Sequence, residues 1–281
     1  MDAAIDLASG KGSGDENFPV ASVLLKPEHR APVMSFYRFA RAADDVSDHP
    51  TASADEKLRL LEAMREGLRG RPDGAEEALA LRDVMASHRL DPIHAFELID
   101  AFEQDVRVNR YADWDGLIGY CRLSAMPVGR YVLDVHGEDR STWPASDALC
   151  AALQVINHLQ DCGKDYRALD RVYIPAETFA ATGARIEDLG AAAASPALRA
   201  AIRALAQRTL GLLGQSDRFA GQIHDRRLSA EVAIIQRLAT SLTHRLLVRD
   251  PLSERVHHNK SEAALLSIGA VLSNLFRKRP A

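Results

Sequence analysis

The 281-residue sequence has no surplus of positive charge: 35 Lys and Arg stand against 39 Asp and Glu, a net charge of −4. Nucleic acid is therefore not an expected partner, because gripping its phosphates takes a basic patch or stripe. Cysteine is scarce. Cys121, Cys150 and Cys162 are odd in number and widely spaced, with no C-x-x-C pair, which argues against a zinc or dithiol site and fits a reducing cytoplasm. An uncharged apolar run of about 18 residues, the least that spans a bilayer, is missing. The first residues lack a basic start and an apolar core segment, so no secretory signal is expected. Calcium-loop spacing and H-E-x-x-H are absent, and "GKGSG" at 10–14 has neither the spacing nor the preceding strand of a phosphate loop. Residues 1–14 read as a flexible arm. With no fixed-period repeat and no linker beyond it, residues 15–281 read as one domain.

What the sequence does have is helical periodicity. Apolar residues recur three and four apart in "LRLLEAMREGL", "AFELIDAFEQDV", "LCAALQVINHL", "ALRAAIRALAQRTLGLL" and "AIIQRLATSLTHRLL". Breakers separate these runs: "GRPDG" at 70–74, "LDPIHA" at 90–95, "HGEDRSTWPASD" at 136–147 and "RDPLSE" at 249–254. Ser146 or Asp147 is the expected cap of the helix after the third. The one strand-like stretch, "RVYIP" at 171–175, is short and ends on proline. An all-α, single-domain bundle is the expected fold class.

Two acidic sets interrupt the pattern. In "RAADDVSDH", Asp44 and Asp48 are four apart, so on a helix they share a face at a cost of about 0.2–0.5 kcal/mol. A solvated helix end would carry this pair cheaply; a buried one needs a cation. In "LQVINHLQDCGKD", Asn157, Asp161 and Asp165 follow at four-residue steps, a polar stripe about 12 Å long on an otherwise apolar helix, and Gln154 joins it. Magnesium suits such sets. It prefers hard oxygen, takes one or two carboxylates, and completes its octahedron with water and substrate phosphate oxygens.

The four stretches "FYRFARAADDVSD", "YCRLSAMPVG", "LQVINHLQDCGKD" and "RVYIP", in that order, resemble the squalene and phytoene synthase family nearly end to end. That resemblance implies an isoprenoid-synthase-type helical bundle with a central cavity. It implies magnesium at Asp44, Asp48, Asn157, Asp161 and Asp165, several ions bridging a diphosphate, and a diphosphate contact from Arg41. It places Tyr37, Tyr120, Gln154, Arg171 and Tyr173 at cavity or phosphate-side positions. The departures point to a branch. "DENF" at 15–18 stands where members that condense two farnesyl diphosphates carry a Ser-Lys-Ser-Phe-like stretch, and Ser124, Ala125 and Met126 replace a Val-Ala-Gly.

"ENFPVAS" and "FEQDVRVNRYADWDGLIGYCRLSAMPVGR" are similar to the bacterial hydroxysqualene synthase branch of hopanoid biosynthesis. The implied reaction is magnesium-dependent ionisation of presqualene diphosphate with water capture, a carbon–oxygen lyase chemistry that needs no NAD(P)H. Tyr120 and Ser124, one turn apart, are candidates for positioning the water, with core packing the alternative for Tyr120. Presqualene diphosphate, squalene or phytoene synthesis is the alternative within the family; an idle scaffold protein is the alternative outside it. The expected location is the cytoplasm, with functional coupling to an enzyme that makes presqualene diphosphate. The C-terminal "EAALLSIGAVLSNLFRKRP" reads either as a last bundle helix or as a peripheral contact with the inner membrane face.

Overall fold

In the computed structural model, which describes residues 26–275, the chain is helical from Pro27 onward. The expected N-terminal arm, "DENF" and the basic Arg277, Lys278 and Arg279 lie outside the described residues. No β-strand occurs among the described residues. "RVYIP" supplies one isolated parallel bridge instead, Val172 to Arg110. The helices fall into two compact units: the described residues up to Val108 with Asp134–His136, and Asn109–Leu133 with the described residues from Gly137 on.

The first unit is built around α1 (Pro27–Ser47), which packs against α2 (Ala54–Leu68), α3 (Glu76–His88) and α4 (Ile93–Arg107). Pro27 starts α1 because its ring presets a helical φ and its missing N–H would have had no partner in a first turn. Ser53 caps α2, its hydroxyl accepting from the Glu56 N–H at 3.3 Å. Phe39, Leu61, Leu81 and Ile99 bring the four apolar faces together and are fully buried. The Arg65 guanidinium bridges α2 to α4 through Asp100 at 2.7 Å and Glu103 at 2.8 Å. Buried His94 lies 3.2 Å from both Glu97 and Asp134, which ties Asp134 to α4.

The second unit comprises α5 (Trp114–Ser124), α6 (Met126–Val135, whose last two residues belong to the first unit), α7 (Trp143–Leu169), α8 (Ala176–Thr182), α9 (Pro196–Gln215), α10 (Phe219–Gln222), α11 (Arg226–Val248) and α12 (Lys260–Leu275). α7 is its spine, packed by α5, α9 and α11 over buried Ala151, Ala152, Val155, Ile156 and Leu159. One expectation fails here. α7 begins at Trp143, earlier than a cap at Ser146 or Asp147 allows. Pro144 is preset for a first helical turn, Ser146 is buried inside the helix, and Asp147 receives the Arg130 guanidinium at 2.8 and 2.6 Å.

Two glycines separate backbone need from mere occurrence. A methyl group on Gly74 would sit 2.3 Å from the Gly67 Cα, so the turn from α2 to α3 has no room for a side chain. One on Gly211, inside α9, would meet nothing within 4 Å. Gly74→Ala is expected to cost about 2 kcal/mol or more, whereas Gly211→Ala should gain about 0.5–1 kcal/mol. Urea unfolding of both variants checks the pair; equal effects would contradict the packing described.

Candidate active site

Tyr37, Arg41, Asp44 and Asp48 succeed one another at steps of four, three and four, so they line one face of α1. Asp44 and Asp45 lie in its last turn and Asp48 caps it, its N–H donating to the Asp44 carbonyl at 2.9 Å. This is the negative end of the helix dipole, where carboxylates are disfavoured. The protein offsets part of that cost. Arg41 donates to Asp44 at 2.8 Å and to Asp45 at 2.6 Å, Lys57 Nζ donates to the Ser47 carbonyl at 3.0 Å, and the Ser47 hydroxyl reaches Asp48 at 3.3 Å.

The offset is incomplete. Burial, then the Asp48 carboxylate, pushes the Asp44 carboxyl up to about 7, with Asp45 and Asp105 adding to the rise and Arg41 opposing it. A group in this state gains from any cation that lets it ionise. Asp105, buried on α4, was not singled out in the sequence. Its signal was there: it falls four after Ala101 and seven after Leu98, on the core-facing side of that helix.

On α7, Gln154, Asn157, Asp161 and Asp165 are half-buried along one side while Val155, Ile156, Leu159 and Cys162 are buried. The segment after α7 returns to this helix. Asp170 ends α7 in the left-handed conformation at φ 50°, and the Arg171 N–H donates to the Asp165 carbonyl at 3.3 Å. Val172 N–H then donates to the Asn109 carbonyl at 3.0 Å and Ala176 N–H to the Tyr111 carbonyl at 2.9 Å. The Arg110 guanidinium holds the Asp170 carbonyl and carboxylate.

That pairing assembles an aromatic cluster. Tyr173 stacks on His158 at 3.4 Å between ring centroids, and Tyr120 stands 5.7 Å from Tyr173 and 5.9 Å from His158. Tyr111 closes the group, 5.6 Å from Tyr120 and 5.8 Å from Tyr173. Burial, then the positive charge of Arg171, lowers His158 to about 3, so its imidazole is neutral, and its Nε2 is buried without a hydrogen-bond partner. The sequence reading missed His158, which sits beside Asn157 and off the four-residue stripe. Ser124 donates its hydroxyl proton to the Tyr120 carbonyl at 3.1 Å, so it keeps only lone pairs to offer a ligand. Gln160 is turned away to the Val256 carbonyl at 2.8 Å.

The donors fit a hard divalent cation. The α1 set offers carboxylate oxygen and the α7 set carboxylate and amide oxygen, and no cluster of three or more His, Cys, Asp or Glu that could hold a metal ion occurs among the described residues. Magnesium does not require such a protein-only cage, since phosphate oxygens and water complete its shell.

The squalene/phytoene synthase family model matches residues 12–262. A hydroxysqualene synthase of Zymomonas mobilis is 54% identical over 275 residues, covering 97% of this chain and 93% of that protein. Another, from Rhodopseudomonas palustris, is 50% identical over 278 residues, covering 99% and 95%. Among solved structures, the squalene synthase of Alicyclobacillus acidocaldarius superposes with a TM-score of 0.71 at 30% identity, covering 81% of this chain and 86% of that one.

The raised Asp44 carboxyl carries a sign that can be measured. Because its folded value lies near 7 and its ordinary value is 3.8, the folded chain holds a proton that the unfolded chain has released between those values. Stability from this group therefore falls as pH rises through that window and is flat above it. In chelator-treated protein, Asp44→Asn should gain on the wild type between about pH 4 and about pH 7. Parallel stability profiles for the two proteins in urea would show that Asp44 is ionised throughout.

Proposed function

The chain belongs to the squalene/phytoene synthase family, and on that premise we propose that it converts presqualene diphosphate and water into hydroxysqualene and diphosphate. The observation that carries this reading is similarity at about half identity, over almost the full length of both chains, to proteins that bear the hydroxysqualene synthase name. The crowding of Asp44 supports the cation it requires.

In this reading Asp44 and Asp48 on α1, and Asn157, Asp161 and Asp165 on α7, would be the oxygen ligands offered to magnesium. Magnesium supplies neutralisation of the charge that develops on the leaving group. The diphosphate departs with the electron pair of the carbon–oxygen bond. Arg41 and Arg171 offer planar N–H donors to its oxygens, Arg41 from beside Asp44 and Asp45. Tyr37 and Gln154 line the substrate. The faces of Tyr120 and Tyr173 present negative π-density, which favours a nearby carbocation as it favours other cations. A water oxygen forms the new carbon–oxygen bond and one water proton is released, so no hydride donor enters the balance. Tyr120, with Ser124 one turn on, positions that water.

The Alicyclobacillus structure named squalene synthase favours a second reading, in which hydride from NADPH ends the reaction. Pure protein, magnesium and presqualene diphosphate in heavy-oxygen water separate the two. The expected product is a C30 alcohol heavier by about two mass units, formed without NADPH. An unlabelled hydrocarbon that appears only with NADPH would replace the proposed reaction with squalene synthesis. Asp48→Asn and Asp161→Asn should each lower kcat/KM about a thousandfold or more with helix content unchanged by circular dichroism. Normal turnover in either variant would remove that residue from the magnesium set.

A further inference from the structure

His158 on α7 is a polar ring in a dry place. It is 8% exposed, and its Nε2 is buried with no hydrogen-bond partner. A buried polar atom left unpaired costs stability that an apolar side chain at the same position would keep, so folding alone does not select histidine here. Its contact with Tyr173 also differs from the others in the aromatic cluster. Tyr111, Tyr120 and Tyr173 stand 5.6, 5.7 and 5.8 Å from one another between centroids, within the about 4.5–7 Å of ordinary aromatic pairs. His158 and Tyr173 are 3.4 Å apart and 13° from parallel, so one ring lies squarely over the other. Two phenyl rings avoid that arrangement because their negative faces oppose. A smaller, polar imidazole, with its π-density unevenly spread, suits it. The residues on either side of Tyr173 are anchored without this contact. The Arg171 N–H donates to the Asp165 carbonyl at 3.3 Å, Arg110 holds Asp170, and the N–H groups of Ala176 and Glu177 donate to the carbonyls of Tyr111 at 2.9 Å and Ala112 at 3.0 Å. Tyr173 lies between these anchors, in a stretch with one isolated bridge, and His158 is the nearest of the three rings around it.

We propose that His158 is a positioning residue for Tyr173, and that the placement it gives the Tyr173 face makes the carbocation end by capturing water instead of losing a proton. This assignment takes the proposed reaction as its premise. Once the carbon–oxygen bond to diphosphate has broken, and with no hydride donor, the cation has two outlets. In one, a water oxygen forms a new carbon–oxygen bond and one water proton passes to solvent, which gives the alcohol. In the other, a neighbouring C–H bond releases its proton to solvent and its electron pair becomes a new double bond, which gives a hydrocarbon. The same diphosphate leaves in both, so the choice is made after ionisation. A π-face holds a cation against itself, and a displacement on the order of 1 Å in a positioning group changes a rate about a hundredfold. His158 touches no reacting atom in this assignment and acts through Tyr173. Because Arg171 is anchored separately, ionisation and choice of outlet should respond separately to a change at His158.

Full-length wild type, His158→Leu and His158→Gln are compared with magnesium and presqualene diphosphate, without NADPH. Leucine removes the plane and the unpaired nitrogen; glutamine keeps a planar polar group. His158→Leu should consume substrate with kcat within about threefold of wild type, while its ratio of alcohol to hydrocarbon, read by mass spectrometry, falls about tenfold or more. Its urea midpoint should be no lower, because a buried unpaired nitrogen has gone. His158→Gln should keep the ratio within about threefold. A second readout needs neither substrate nor metal: amide exchange across residues 172–176 should be about tenfold faster in His158→Leu than in wild type and near the wild-type rate in His158→Gln. A wild-type ratio or wild-type exchange in His158→Leu would overturn the assignment, as would a glutamine variant impaired as far as the leucine one. A ratio that falls only in step with kcat and the urea midpoint would make His158 a packing residue. A wild type that forms no alcohol would remove the proposed reaction and the choice of outlet with it, while the exchange rates still decide whether His158 holds Tyr173.

Discussion

Asp44 and Asp45 occupy the last turn of α1 and Asp48 follows it, at the helix end that already carries partial negative charge, with the Asp44 side chain 36% and the Asp45 side chain 13% exposed. Arg41 can neutralise only part of this. Its two terminal nitrogens are shared between Asp44 and Asp45, and Asp105 on α4 adds a further carboxylate whose field reaches Asp44. The first unit therefore stores an unfavourable charge arrangement, held in place by the apolar contacts of α1 with α2, α3 and α4. A divalent cation, as in the proposed reaction, is a ligand whose charge would relieve this crowding.

α7 answers a different constraint. It must bury one side among helices and still present four polar side chains on another, and it does so by keeping the buried side small where the packing is closest. Ala151 and Ala152 are fully buried, and a methyl on Gly163 would press the Leu189 carbonyl at 3.2 Å and Leu252 at 3.3 Å. The stripe then continues past the helix end, because the left-handed Asp170 turns the chain back and the bonds from Val172 and Ala176 to residues 109 and 111 bring Tyr173 beside His158. A short segment with no repeating ladder thus sets the placement of Arg171 and Tyr173.

This explains what could be read from the sequence. Helix identity and the two acidic stripes are local properties, governed by three- and four-residue spacing, and the runs around Leu61, Leu98, Val155 and Leu238 all became helices. His158 was not legible because its role depends on Arg171 and Tyr173, distant in sequence, whereas the spacing of Asp105 put it on the core-facing side of α4 without showing that the end of α1 lies beside it. The start of α7 was misplaced because Ser146 and Asp147 have the chemistry of caps, while the packing of Arg130 against Asp147 gave that carboxylate another use. "RVYIP" looked like a strand for a real reason, since its backbone is extended enough to bridge Arg110, but no second pairing extends the ladder.

The break between α5 and α6 shows how a departure in sequence acts through structure. Ser124 ends α5, Ala125 turns the chain at φ −117° and ψ −43°, and Met126 opens α6, with Ala125 and Met126 both buried. The Ser124 hydroxyl folds back onto the Tyr120 carbonyl, a bond that competes with the helix ladder and favours a bend at this point. One turn later Gly129 lets α6 lie so close to α7 that a methyl there would come within 2.5 Å of Cys150 Sγ and Ser146 Oγ. Tyr120 is therefore held from both directions, by the bend that Ser124 supports and by the rings of Tyr111, Tyr173 and His158. Ser124 acts on the placement of Tyr120 before it acts on any water, and the two residues form one structural unit.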